Sequence, residues 1–254
     1  MYATHQAMAI PAPRPRRGPR RDLSRSLLNG TLVFILFLVL ETGALAHAIA
    51  GKDAAFVART HGAAWGPFLY LGAKHMVTGY DHLLFLAGVI FFLRRFRDIL
   101  LYVSLFSLGH SITLLAGTLF HFGLDPYLID AIIGLSVAYK AFDNIGGFES
   151  FFGKRPNPRI AVFGFGLFHG LGLATKLQQL RLHEEGLLAN LLAFNIGIEV
   201  GQVIALSILL ALILWWRRSG YFAATALAAN MAMMTAGLIL IGFQLAGYFW
   251  GGAA

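Results

Sequence analysis

Residues 187–216 read LLANLLAFNIGIEVGQVIALSILLALILWW, thirty positions interrupted by few polar side chains and closed by Arg217 and Arg218. About 20 apolar residues in helical form, at 1.5 Å each, are enough to cross the hydrocarbon of a bilayer. This stretch therefore predicts a spanning helix. Every lipid-facing backbone group must be bonded internally, which a run this long and apolar achieves as a helix rather than as a strand of a barrel. Its polar residues are also ordered. Asn195, Glu199 and Gln202 stand at i, i+4 and i+7, the later two within about 40° of the first around the axis, with Phe, Ile, Val and Leu on the flanks. One narrow polar stripe faces inward.

Working outward from it, runs of the same kind recur at about 67–93, 98–118, 127–145, 159–180 and 221–250, bounded by charges, Gly and Pro. The predicted fold is an all-α polytopic membrane bundle of six transmembrane helices, or seven if an N-terminal segment is retained. Composition agrees, because 57% hydrophobic and 13% charged residues, with a mean hydropathy of +0.68, leave too few charges to coat a soluble surface. The formal net charge of +8 raises the question of nucleic acid, but Arg14, Arg16, Arg17, Arg20, Arg21 and Arg25 against the single acid Asp22 place +5 of it in the first 30 residues. Most other Lys and Arg close apolar runs, so the charge is no nucleic-acid footprint. The absence of Cys excludes disulfides, thiolate metal sites and Cys nucleophiles, leaving His, carboxylate, amide and hydroxyl groups for any metal chemistry.

The Arg-rich start, the aliphatic run Thr31–Leu40 and the small residues from Gly43 to Ala48 form the basic, hydrophobic and cleavage regions of a signal peptide. We expect cleavage after Ala46, or Ala48, rather than retention as an uncleaved anchor, dividing the chain into a basic tail and signal segment at 1–46, an external segment at 47–66 and a six-helix domain at 67–250. Arg94, Arg95 and Arg97, then Lys154, Arg155 and Arg159, then Arg217 and Arg218 mark alternate links, whereas the others carry Lys176 and Arg181, or none at 119–126. The positive-inside rule puts 94–97, 146–158 and 217–220 in the cytoplasm and the mature N-terminus outside. The implied location is a bacterial-type cytoplasmic (inner) membrane.

Within the runs lie His75, Asp81, His82, His110, Asp130, Lys140, Asp143, His169 and Glu199, beside Ser111, Asn144, Asn195 and Gln202. A charge at a helix centre costs about 2.5–3.5 kcal/mol on insertion scales, so such residues face a bundle interior, a partner or a water-filled path. His75 and His82 share a helix face, but in an unbroken helix they are about 10.5 Å apart along the axis. They share one ion only if the helix opens at Gly79. Asp81 points about 100° from His82, toward a neighbouring helix or another angle of approach. Ser136, Lys140 and Asp143 form a second stripe in which Lys140 and Asp143 neutralise each other. The glycines from Gly164 to Gly172 let helices approach closely. We read His75, Asp81, His82, His110, His169 and Glu199 as candidate ligands for a divalent transition metal, with Asp130, Asp143, Asn144, Asn195 and Gln202 as supporting polar groups. Imidazole suits Ni, Co, Cu or Zn.

Four ordered motifs carry a resemblance. Gly72-Ala-Lys-His75-Met-Val-Thr-Gly79-Tyr-Asp81-His82, Phe106-Ser-Leu-Gly109-His110-Ser111-Ile-Thr113, Phe163-Gly-Phe-Gly166-Leu-Phe-His169-Gly170-Leu-Gly172 and Phe194-Asn195-Ile-Gly-Ile-Glu199-Val-Gly201-Gln202 resemble the successive signatures of the HupE/UreJ family of integral membrane proteins. Asp130 and Asp143-Asn144 resemble positions where that family more often has Glu, and Lys140 departs from its usual apolar residue. The resemblance implies a cytoplasmic-membrane protein linked with nickel supply to hydrogenase or urease, and so with metalloenzyme maturation partners. A metal permease or metal-handling accessory protein is the leading expectation, with Ni or Zn as the ion. The alternative is an intramembrane zinc hydrolase with the logic of ceramidase-like membrane enzymes. There His75 or His82, His110 and His169 hold zinc and Asp81 or Glu199 acts as base, or Ser111 acts as nucleophile with His169 as its base. A third reading is a non-catalytic membrane subunit whose polar stripes only hold helices together.

Overall fold

The structure, a computed structural model, describes residues 52–179 and 183–251. The basic tail and the expected cleavage after Ala46 lie outside the described residues. Within them all regular structure is helical: α1 (Lys52–Arg59), α2 (Trp65–Thr78), α3 (Tyr80–Ile90), α4 (Phe96–Leu119), α5 (Pro126–Asn144), α6 (Gly147–Phe152), α7 (Pro158–Gln179), α8 (Leu187–Arg218) and α9 (Phe222–Trp250). Four of these, α4, α7, α8 and α9, are long and apolar enough to cross a bilayer. The chain is a multi-pass membrane protein. The outward face of α8, with Val203, Ile208, Leu212 and Trp215 all more than half exposed, is a surface suited to lipid.

The two other expected spans differ. The run at 67–93 is not one helix but α2 and α3, which meet at Gly79. The run at 127–145 is the 19-residue α5, which carries Asp130, Lys140 and Asp143 along its length. Two short helices were not foreseen. α1 lies against α2 through the Asp53–Lys74 ion pair. α6 is bracketed by Gly146 and Gly153, both in the left-handed region at φ +75° and +66°, where a side chain is strained.

Apolar helices in lipid gain little by hiding from one another, so close backbone packing must hold them. Three pairs dominate the bundle: α2 with α8, α4 with α7, and α5 with α9. Glycine makes each possible. Gly72 sits on the Phe194 backbone and Gly197 on that of Leu69; Gly166 and Gly170 sit on Phe106 and His110; Gly237 sits on Gly134 and Ala138. A methyl group at any of these positions would overlap the facing backbone.

Both ends of α8 are clasped to the α2–α3 unit. At its start, buried Asn190 accepts from the Ala64 N–H at 2.7 Å and donates to the Gly62 carbonyl at 2.9 Å. At its end, Arg217 donates to the carbonyls of Leu93 at 2.8 Å and Ile90 at 3.2 Å, and to that of Phe91. The last carbonyls of a helix have no partner within it, and the guanidinium fork supplies several donors to them. Arg217→Ala is expected to destabilise the protein by about 1–3 kcal/mol, the range for stranding hydrogen-bonding groups. Arg217→Lys, which cannot fork, should fall between. Thermal unfolding in detergent measures both, and an Ala variant as stable as the parent would remove the clasp.

Lys176 changes its meaning. It is not a link residue but part of α7, where its ammonium donates to Asp130 at 3.0 Å. A charge consumed by an intramembrane partner says nothing about sidedness.

Candidate metal centre

The centre begins with the break between α2 and α3. Gly79 has φ −76° and ψ 89°, so a single non-helical residue caps both helices. Its N–H donates to the His75 carbonyl at 2.8 Å, and its own carbonyl accepts from the Leu83 N–H at 3.0 Å. The opening on which a shared ion depends is therefore present, and the His75 and His82 rings lie 5.3 Å apart, centroid to centroid. The break also redirects Asp81. In the first turn of α3, where N–H groups lack intrahelical partners, its carboxylate accepts from the His82 N–H at 2.8 Å and meets His82 Nδ1 at 3.0 Å. The expected orientation toward a neighbouring helix assumed a continuous helix. Asp81 instead orients the next residue in the chain.

His82 is the hub of four buried imidazoles. Its ring centroid is 5.5 Å from that of His110 on α4 and 4.5 Å from that of His169 on α7. All four are at most 5% exposed. Two groups of donors can hold a metal ion, His75 with His82 and His110, and Asp81 with His82 and His169; within each, one ligand atom per residue lies within 4.8 Å of the others. Hydrogen bonding leaves the right nitrogens over. With Asp81 at Nδ1, His82 keeps Nε2. With Ser136 Oγ 3.0 Å from Nε2, His169 keeps Nδ1. Neither nitrogen of His110 has a hydrogen-bond partner among the described residues. Buried polar atoms are normally satisfied, and a carboxylate behind an imidazole is the usual way to orient a metal ligand, so these residues fit a divalent ion. Phe106 walls the cluster, 5.1 Å from His169 and 5.9 Å from His82.

The stripe on α8 faces inward but does not join either donor group. Asn195 accepts from Ser111 at 3.0 Å, and Gln202 donates to Ser107 at 2.7 Å. Glu199 lies between them, its carboxylate beside the Ser107 hydroxyl. Ser111 is thus engaged by Asn195 and His169 by Ser136. The structure does not bring Ser111 and His169 together as nucleophile and base.

Apart from Asp130, which pairs with Lys176 near the start of α5, the remaining polar candidates lie around the C-terminal end of α5. Lys140 donates to Asp143 at 2.6 Å, as expected of a structural pair, and Arg155 from the following link adds two bonds at 2.7 and 3.0 Å. That carboxylate raises the pKa of Arg155, chiefly through its hydrogen bond. Asn144 bonds the Gly88 carbonyl and Asn230, a buried amide on α9 that sequence reasoning missed. Isolated amides in apolar helices, Asn190 and Asn230 alike, were the available signal. A cavity of about 420 Å³ opens here, lined by Lys140, Asp143, Asn144, Glu149 and Arg155 with Phe92 and Phe148. Phe85 separates it from the histidines: on one side its ring is 5.5 Å from that of His169, and on the other it lines a small void with Tyr139, Lys140 and Asp143.

The family model described as HupE / UreJ protein matches residues 51–251, which include every residue of the two donor groups. Neither curated proteins nor solved structures show a match.

Proposed function

Because this chain belongs to the HupE/UreJ family, we propose that it moves a divalent transition-metal ion, nickel or zinc, across the cytoplasmic membrane through the buried histidines. The observation that carries the reading is the sharing of His82 between two donor groups. A path needs several sites of moderate strength, since an ion must leave as readily as it enters, and two groups joined at one imidazole permit a handover. The serine form of the hydrolase alternative is less well supported, because Ser111 bonds Asn195 and His169 Nε2 faces Ser136. In this reading Glu199 and the α8 amides line the approach, Phe85 is the inner barrier, and the cavity at Asp143 is the cytoplasmic vestibule.

Six passes follow if α2 and α3 together make one interrupted crossing and α5 another. The charges on α5 permit this because each is paired within the bundle, Asp130 with Lys176 and Lys140 with Asp143. The arginine-rich links then face the cytoplasm. The chain has no Cys, so a cysteine at exposed Ser150 should resist an impermeant thiol reagent added to intact cells, while one at exposed His121 should react. The reverse pattern would invert the topology.

Metal analysis of purified protein, measuring nickel and zinc together, combined with uptake of labelled nickel by cells, tests the function. Exchangeable metal and protein-dependent uptake are expected. Stoichiometric zinc that does not exchange, with no uptake, would overturn the reading in favour of an enzyme.

A further inference from the structure

A second pair of histidines lies away from the buried cluster. His61, in the link before α2, and His183, in the link before α8, have ring centroids 3.9 Å apart with planes inclined by 33°. They come from segments remote in sequence, and buried contacts enforce the meeting. Asn190, 5% exposed, grips the backbone on either side of Ala63 through Gly62 and Ala64. Gly186, at φ +75°, packs directly on the Gly62 backbone, leaving no room for a side chain. The two links are thus locked together, and each carries its imidazole into the same place.

We propose that His61 and His183 form a separate capture site for a divalent transition-metal ion at the mouth of the path. The proposal rests on the transport reading above, which makes this the outer face. Two imidazoles select borderline ions such as Ni, Cu and Zn over Mg and Ca. Solvent reaches the pair, so water completes the coordination. The rings sit closer than two imidazoles around one ion, so binding an ion between them requires the rings to part. A two-ligand site is weak by construction, which suits a point of entry that must release its ion. Exposed Glu184 and Glu185 add negative charge beside His183. The site lies at the end of the α2–α8 pair from which α2 runs inward, and His75 is about 15 Å further along that helix from Trp65.

Zinc and nickel titrations of the full-length protein, with uptake measured in parallel, decide it. His61→Ala combined with His183→Ala should remove a weak class of binding and raise the KM for uptake about tenfold, the order lost when a group supporting a metal is removed, with the maximal rate unchanged. His183→Asp, which keeps a ligand, should recover part of the affinity. His110→Asn should show the opposite split, losing inner binding and rate while the weak class persists. If instead the weak class persists in the double variant and KM does not move, the capture site is refuted. It is equally refuted if the variant only loses thermal stability and yield, the mark of a packing role. Loss of the weak class alongside an inert His110→Asn would uphold the capture site and count against the buried path.

Discussion

Replacing His110 by Asn is expected to reduce metal affinity and uptake by about 10–100-fold or more, since even groups behind a metal ligand contribute that much, while the bundle stays folded. The asymmetry follows from the hydrogen bonds His110 does not make. Both its nitrogens are buried without a partner among the described residues, so the substitution breaks no bond between helices. Even where such bonds exist they average only about 0.6 kcal/mol. Asn is smaller and polar, and leaves a slight void against Phe106. His82→Asn should cost more, because both donor groups lose a member and Asp81 loses the imidazole it orients. His121, exposed in the link after α4, is the control. Uptake of labelled metal measured beside thermal unfolding separates the cases. Equal losses at His110 and His121, or losses that merely track stability, would leave the histidines as scaffolding.

Gly170→Val should be among the most damaging single changes in the structure. A Cβ there would overlap the His110 carbonyl and meet the Thr113 hydroxyl, so α4 and α7 must separate. Overpacking a core costs typically 1–3 kcal/mol, and here the obstacle is backbone, which cannot rotate aside. The expected result is loss of folded protein, and loss of metal binding in whatever survives, since His110 and His169 sit on the two helices forced apart. Gly164→Val is the matched comparison. It lies on the same helix in the same glycine-rich motif, yet a Cβ there meets nothing within 4 Å. Folded yield by size-exclusion chromatography reads the difference directly, and comparable behaviour of the two variants would discard the close-packing account.

The helices were legible because length and hydropathy are local properties. The run at 187–216 announces α8 to within two residues of its end at Arg218. The stripe of Asn195, Glu199 and Gln202 correctly turns inward for the same reason. Its depth relative to residues on other helices is a tertiary quantity, and that is why Glu199 was grouped with histidines it does not join. Gly79 shows the limit most clearly. A glycine inside a helix costs only about 1 kcal/mol relative to Ala, so the residue alone could not say whether the helix opens. The opening nevertheless decides both whether His75 meets His82 and where Asp81 points. Arg217 was read as a marker of sidedness, and its bonds to carbonyls at and just beyond the end of α3 depend on a chain reversal that no local pattern contains. Lys176 misled in the same way, its partner Asp130 lying 46 residues earlier.

The interruption at Gly79 also has an electrostatic consequence. An unbroken transmembrane helix keeps its two dipole ends at the membrane surfaces, where water screens them. If α2 and α3 make one crossing, as proposed above, their separation creates two more ends within the protein, equivalent to roughly half an elementary charge each, negative at the C-terminus of α2 and positive at the N-terminus of α3. His75 lies in the last turn of the first and Asp81 in the first turn of the second. The negative end favours a cation beside His75, and the positive end lies beside the Asp81 carboxylate, which in turn holds the His82 ring. Discontinuous helices in transporters direct their ends at charged cargo in the same manner. One glycine thus places a field of fixed direction in the low-dielectric interior without adding an ionisable side chain.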